Sequence, residues 1–221
     1  MENENHNNEH NNMTEKQVKL NPWFSIWIKP RATMRSVLNN KPGKVFLLIY
    51  LGMLVNSLDQ ASTRDMGDTY SMSTVLFASI VFPLFTGIIY YYLAPTIFRW
   101  AGSILNGHGT TEEVRYALAY SFIPYVYSLI IVWLPSLLLF GKENFTYLTP
   151  NIDNSPILFA LLLLLLLIDL VIACWTIIIS LKCLGEAHQF SAWRALGASI
   201  IAFLIIFVPL LLIGLAIVPF I

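Results

Sequence analysis

Charge is what this sequence has least of: Asp, Glu, Lys and Arg make up 12% of its 221 residues, against 57% hydrophobic residues. A soluble domain of ordinary composition carries about twice that share of charge, so a water-covered globule is excluded. Cysteine is nearly absent as well. Cys174 and Cys183 are the only two; their spacing fits no metal motif, and both are read as packing residues on a reducing side of the membrane. The first twenty residues hold no apolar core of signal-peptide length. Catalytic signatures are missing too: no HExxH, no paired carboxylates and no nucleophile–base pair. The glycines Gly102, Gly107 and Gly109 precede no Lys-Ser/Thr and follow no strand, so they read as a tight turn rather than a phosphate loop. His108 with Glu112, and Glu186 with His188, sit among capping residues in loops. The chain reads as a non-enzyme without cofactor or metal, and nothing in it suggests nucleic acid.

What is present is five long apolar stretches, at about 43–58, 74–98, 116–140, 156–181 and 195–221. A helix needs about 20 mostly apolar residues to cross the hydrocarbon core. Four stretches meet that length easily; the first is short and crosses with the help of Lys44 snorkelling and slight bilayer thinning. Basic residues near span ends stay cytoplasmic. Lys16, Lys19, Lys29, Arg31, Arg35, Lys41 and Lys44 precede the first span, Arg99 and Arg115 bracket the second loop, and Lys182 and Arg194 flank the last. Only Arg64 and Lys142 fall on the other side, so eleven of the thirteen basic residues share one face. Without the first span the division would be nine to four. An all-α, five-span bundle in the cytoplasmic (inner) membrane is therefore expected, its N-terminus in the cytoplasm and its C-terminus outside.

Residues 1–20 are polar and Asn-rich and should be disordered. Residues 21–42 are different. Asn21-Pro22 is a helix start, with Asn as N-cap and Pro at the first helical position. Trp23, Phe24, Ile26, Trp27 and Ile28 follow, then Lys29, Pro30, Arg31 and Arg35. Pro30 breaks the segment into two helical pieces. Trp beside Lys and Arg suits the headgroup zone and anionic lipid. Trp23, Trp27, Lys29, Arg31 and Arg35 are read as a membrane-surface and partner-contact element; the plainer reading, that the Trp pair caps the bundle from below, is compatible with it. Thr110 to Glu113 forms a capping box for the third span, and Ser191 an N-cap for the fifth.

Asp169 is the lone ionisable residue deep in a span. An ionised carboxylate there costs several kcal/mol. Depth matching places Tyr90, Tyr125, Tyr127 and Ser128 as its hydroxyl company, around a protonated Asp. Two readings follow: a neutral tie between helices, or part of a proton or ion path. Pro83, Pro124, Pro135 and Pro209 kink their spans. Tyr116, Tyr120 and Tyr127 share a face of a continuous helix, which reads as a helix–helix interface. The last span looks lipid-facing.

The layout resembles bacterial members of the Yip family, the Ypt/Rab-interacting membrane proteins. The residues that carry the resemblance are Asn21-Pro22-Trp23 with Trp27, Lys29-Pro30-Arg31, Pro42 and the turn Gly107–Gly109. Ala119-Tyr120 with Pro124, and Phe190-Ser191-Ala192-Trp193, complete it. The resemblance implies a five-helix protein with a cytosolic N-terminus that associates with itself and with other membrane proteins. Eukaryotic relatives act in vesicle traffic with small prenylated GTPases. Their Asp-Leu-Tyr-Gly-Pro motif is missing here, with Tyr92-Leu93-Ala94-Pro95 the nearest run, which argues against such a GTPase as partner. The expected function is that of a membrane adaptor or organiser binding membrane proteins, itself or lipids. The alternative is a small transporter or lipid-moving protein using Asp169.

Overall fold

The computed structural model describes residues 20–217, with side chains as far as Leu215; the tail expected to be disordered lies almost wholly outside the described residues. Among the described residues every regular element is helical. Five of the helical segments are long and apolar enough to cross a membrane: Val45–Thr63, Met72–Ile104, Thr111–Phe145, Pro156–Ala187 and Ala192–Leu215. This is an all-α, multi-pass membrane protein.

Two short helices precede the spans. Helix α1 (Pro22–Ile28) begins where Asn21 Oδ1 accepts from the Trp23 amide at 3.1 Å, with Pro22 in the first turn. Helix α2 (Pro30–Asn40) restarts after the break at Lys29 and ends on Lys41 in the left-handed region. Helix α3 (Val45–Thr63) is 19 residues long, so the short first stretch is completed by the polar turn Asp59–Thr63, not by apolar residues. Helix α4 (Met72–Ile104) is the second span.

The third span is broken rather than continuous. Helix α5 (Thr111–Ser121) starts on the expected capping box, both halves of which are formed. It stops before Pro124, which lacks the amide that would continue the ladder. Helix α6 (Ile123–Ser128) then runs into one π-helical turn (Leu129–Trp133), and α7 (Leu134–Phe140) follows with Pro135 in its first turn. The break pushes the Phe122 ring onto α3 at Gly52, where an added Cβ would lie 2.6 Å from it. Tyr127 consequently leaves the face of Tyr116 and Tyr120. Those two rings stack at 6.2 Å, while Tyr127 meets Trp23 and Trp27 at 6.2 and 5.6 Å.

Helix α8 (Pro156–Ala187) is the fourth span and α9 (Ala192–Ile217) the fifth. The Ser191 hydroxyl accepts from the Arg194 amide at 3.3 Å, as an N-cap does. Helix α9 touches the bundle through Ala195, Ala198 and Ala202, with Ile201 and Ile205 packed beside them, and exposes most of its larger side chains from Phe203 onward. Cys183 is buried in the core, whereas Cys174 is exposed, so the packing role read for both holds for Cys183 only.

The first two helices are not loose on the bundle. Ile26, Met34 and Val37 share one buried cluster with Leu48 and Ile49 of α3, Ala119 and Ile123 of the third span, and Ile179 and Cys183 of α8. The segment belongs to the fold.

Candidate functional site

Five contacts fix α1 and α2 against the N-terminal-side ends of the spans. Arg31 Nη2 donates to the Phe190 carbonyl at 2.7 Å, and its Nη1 lies 3.6 Å from Glu186 Oε2. Arg35 Nε donates to Glu186 Oε1 at 2.7 Å. Trp175 Nε1 of α8 donates to the Trp27 carbonyl at 3.2 Å, and the Tyr127 hydroxyl donates to the Trp23 carbonyl at 3.4 Å. Two of the five expected contact residues are thus tied by ion pairs within the fold. Trp27 is half-buried against Tyr127, and Trp23 and Lys29 remain exposed. Beside these, the platform presents two large apolar side chains outward: Phe24 is 70% and Ile28 83% exposed, one helical turn apart.

Asp169 lies at the deep end of a cavity of about 410 Å³ that runs from the far-side residues Asp65, Thr146 and Thr149 past Asp59 and Trp133. No Lys, Arg or His lines it. Asp59 accepts from Trp133 Nε1 at 3.1 Å, whereas Asp169 Oδ1 is buried with no hydrogen-bond partner. Asp59 and Asp169 are electrostatic neighbours, and Tyr125 neighbours both. The other residues expected around Asp169 do not line this cavity. Ser128 donates to the Tyr125 carbonyl at 2.9 Å, Tyr127 is on the platform, and Tyr90 packs on Phe122 with ring centroids 5.7 Å apart. Glu143, also in the cavity wall, accepts from both Asn151 nitrogens and the Ile152 amide, closing the turn Pro150–Asp153.

The segments that build the platform and the cavity also carry the family relationship. The model of the Yip1 domain matches residues 24–213. The chain belongs to the Yip1 domain family. No curated protein and no solved structure matches it. The Yip1 match starts inside α1 and ends inside α9, so the platform lies within the domain.

One site in this Yip1 domain went unrecognised in the sequence. His188 is fully buried, and neither ring nitrogen makes a hydrogen bond of good geometry, although the Phe98 carbonyl is near enough to act on its charge. Its ring stacks on Phe190 with centroids 5.0 Å apart and planes 7° from parallel. Three glycines make the space. A Cβ on Gly107 would lie 2.7 Å and one on Gly109 2.9 Å from the imidazole, and one on Gly102 would fall within it. The His108 amide donates to the His188 carbonyl at 3.2 Å, joining the two loops on this side. Burial lowers the imidazole pKa below its usual value, against opposing effects of the Phe98 carbonyl and the Glu113 charge. The three-glycine turn is thus a socket for an aromatic ring, and the only sequence signal was three glycines without a phosphate motif.

Proposed function

We propose that this Yip1-domain protein is a non-enzymatic membrane adaptor or organiser whose contact surface is the platform α1–α2. The observation that carries this reading is the exposure of Phe24 and Ile28 on a helix that ion pairs and Trp27 hold in one orientation. Large apolar side chains exposed on a rigid element mark a binding surface. Trp100 and Trp193, both exposed at span ends on the same side, suit a membrane–water boundary, where indole rings collect. The platform therefore lies at that boundary, with Lys29 beside anionic headgroups and Phe24 and Ile28 offered to a membrane-protein partner or a second copy. On this reading the excess of basic residues favours the cytoplasm of a cell membrane for this side and the outside for the C-terminus.

The test is a photo-crosslinking residue at Ile28, compared with one at Phe85 on the lipid face of α4, in native membranes. A stoichiometric adduct specific to Ile28 is expected; equal labelling at both sites, or lipid adducts alone, contradicts the adaptor reading. A second reading, transport, rests on the cavity that reaches Asp169, where a buried carboxylate oxygen lacks a partner. Its test is proton or cation flux in reconstituted vesicles, wild type beside Asp169→Asn. Flux that disappears in the variant supports transport.

A further inference from the structure

A second cavity, of about 430 Å³, opens on the N-terminal side between α1, α2 and the start of α3. Its volume falls within the ~300–1,000 Å³ range of ligand sites. The two ends differ in chemistry. The deep end is apolar, with Leu47 and Leu51 one helical turn apart along α3 and Ile123 of α6 behind them. The outer end is cationic: Lys44 lines it, and no Asp or Glu does.

Lys44 is exposed and makes no ion pair or hydrogen bond through its side chain among the described residues, whereas neighbouring Lys41 is held by Glu112 at 3.0 Å. Lys44 adopts a left-handed conformation (φ 71°) at the start of α3, where no side chain caps the helix and no acid stands in the first turn. The Tyr120 hydroxyl donates to the carbonyls of Pro42 and Gly43 at 3.4 and 3.3 Å, occupying the acceptors of that turn. The turn is left offering the cavity an ammonium group. A Cβ on Gly43 would meet nothing within 4 Å, so the wall is open there.

We propose that this cavity holds one anionic phospholipid from the adjacent leaflet, its phosphate on Lys44 and an acyl chain along Leu47 and Leu51. Charge complementarity selects the head, and the leucine stripe, continuous with the span, selects an amphiphile over free phosphate. This inference rests on the reading of the platform as a membrane-surface element. It adds a defined lipid site to it.

The test is native mass spectrometry of the purified full-length protein. Phosphatidylglycerol and phosphatidylcholine of identical acyl chains are added in equal amounts, with inorganic phosphate in a separate arm. Wild type should retain phosphatidylglycerol about fivefold over phosphatidylcholine, the preference that one lysine confers near a membrane surface. Lys44→Gln should bring the two lipids to parity, and Leu51→Trp, which fills the apolar end, should lower the binding of both. Arg99→Gln, on the same side but outside the cavity, should leave the preference intact. Thermal melting establishes that each variant is folded, and the Leu51 arm tests the site independently of Lys44. Equal retention by wild type, an unchanged preference in Lys44→Gln, or phosphate competing as well as the lipid overturns the proposal. So does deletion of residues 2–19 if it creates binding that the full chain lacks, because the tail would then be the occupant. If the Ile28 adduct persists while the lipid preference is absent, the lipid site fails and the adaptor reading stands.

Discussion

Arg31 and Phe190 stand 159 positions apart in the chain, and one hydrogen bond of 2.7 Å joins the guanidinium of the first to the carbonyl of the second. That bond closes the N-terminal platform onto the turn between the fourth and fifth spans. Glu186, largely buried, doubles the closure by taking both Arg31 and Arg35.

Glu186→Gln should therefore loosen α1 and α2 without unfolding the spans. Hydrogen bonds to charged groups contribute about 1.5–3 kcal/mol each, less where the partner is exposed as Arg35 is. A loss of about 1–2 kcal/mol is expected. Hydrogen exchange should quicken across residues 22–40 and stay unchanged around Ala198 and Ala202. Unchanged exchange in 22–40 would show that apolar burial alone fixes the platform.

Gly102→Ala should be costly, because its methyl group would occupy the His188 ring. Overpacking of this kind costs about 1–3 kcal/mol. Gly214→Ala is the control: a Cβ there meets nothing within 4 Å. A lower melting temperature for Gly102→Ala alone is the expected result, and equal melting for both would show that the loops yield freely.

Stability should depend on pH through His188. Its folded pKa is lowered by burial, so the fold favours the neutral ring. In the unfolded chain the group takes up a proton below about 6.5. The contribution of the neutral ring is fully present above that pH and is lost as pH falls towards the lowered folded value. The wild type should therefore lose melting temperature as pH falls below about 6.5 relative to His188→Phe, which keeps a ring in the socket. Parallel curves for the two proteins would contradict this.

The two carboxylates of the far-side cavity separate the adaptor and transport readings. Asp169→Asn and Asp59→Asn should leave capture at Ile28 at wild-type levels, since the cavity and platform lie at opposite ends of the bundle. A drop in capture for either folded variant would couple the cavity to the platform.

The spans and their caps were legible because they depend on local chemistry: apolar run length, Asn21 and Pro22, Thr110 with Glu113, Ser191. The break at Pro30 was legible for the same reason, whereas Pro124 reads in sequence as a kink and not as the end of a helix. Which faces meet was not legible. The company of Asp169 depends on how α8 is rotated against α3 and the third span, and depth alone pointed to Tyr127, which the Pro124 break turns towards Trp23. His188 read as an ordinary loop residue because its burial is made by glycines some eighty positions earlier in the chain. Arg31 and Arg35 look like headgroup ligands in sequence, and only their distance to Glu186 shows that they hold the fold together.

The most direct test of the adaptor claim is purification of the tagged protein from its native membrane after crosslinking. Wild type is compared with Phe24→Ser/Ile28→Ser, which alters the outward face and leaves Arg31, Arg35 and Glu186 untouched. The expected result is a stoichiometric membrane-protein partner, or a second copy, with the wild type and its loss from the double variant at equal expression. A partner retained by the double variant, or a wild type recovered alone, would contradict the platform as the working surface of this Yip1 domain.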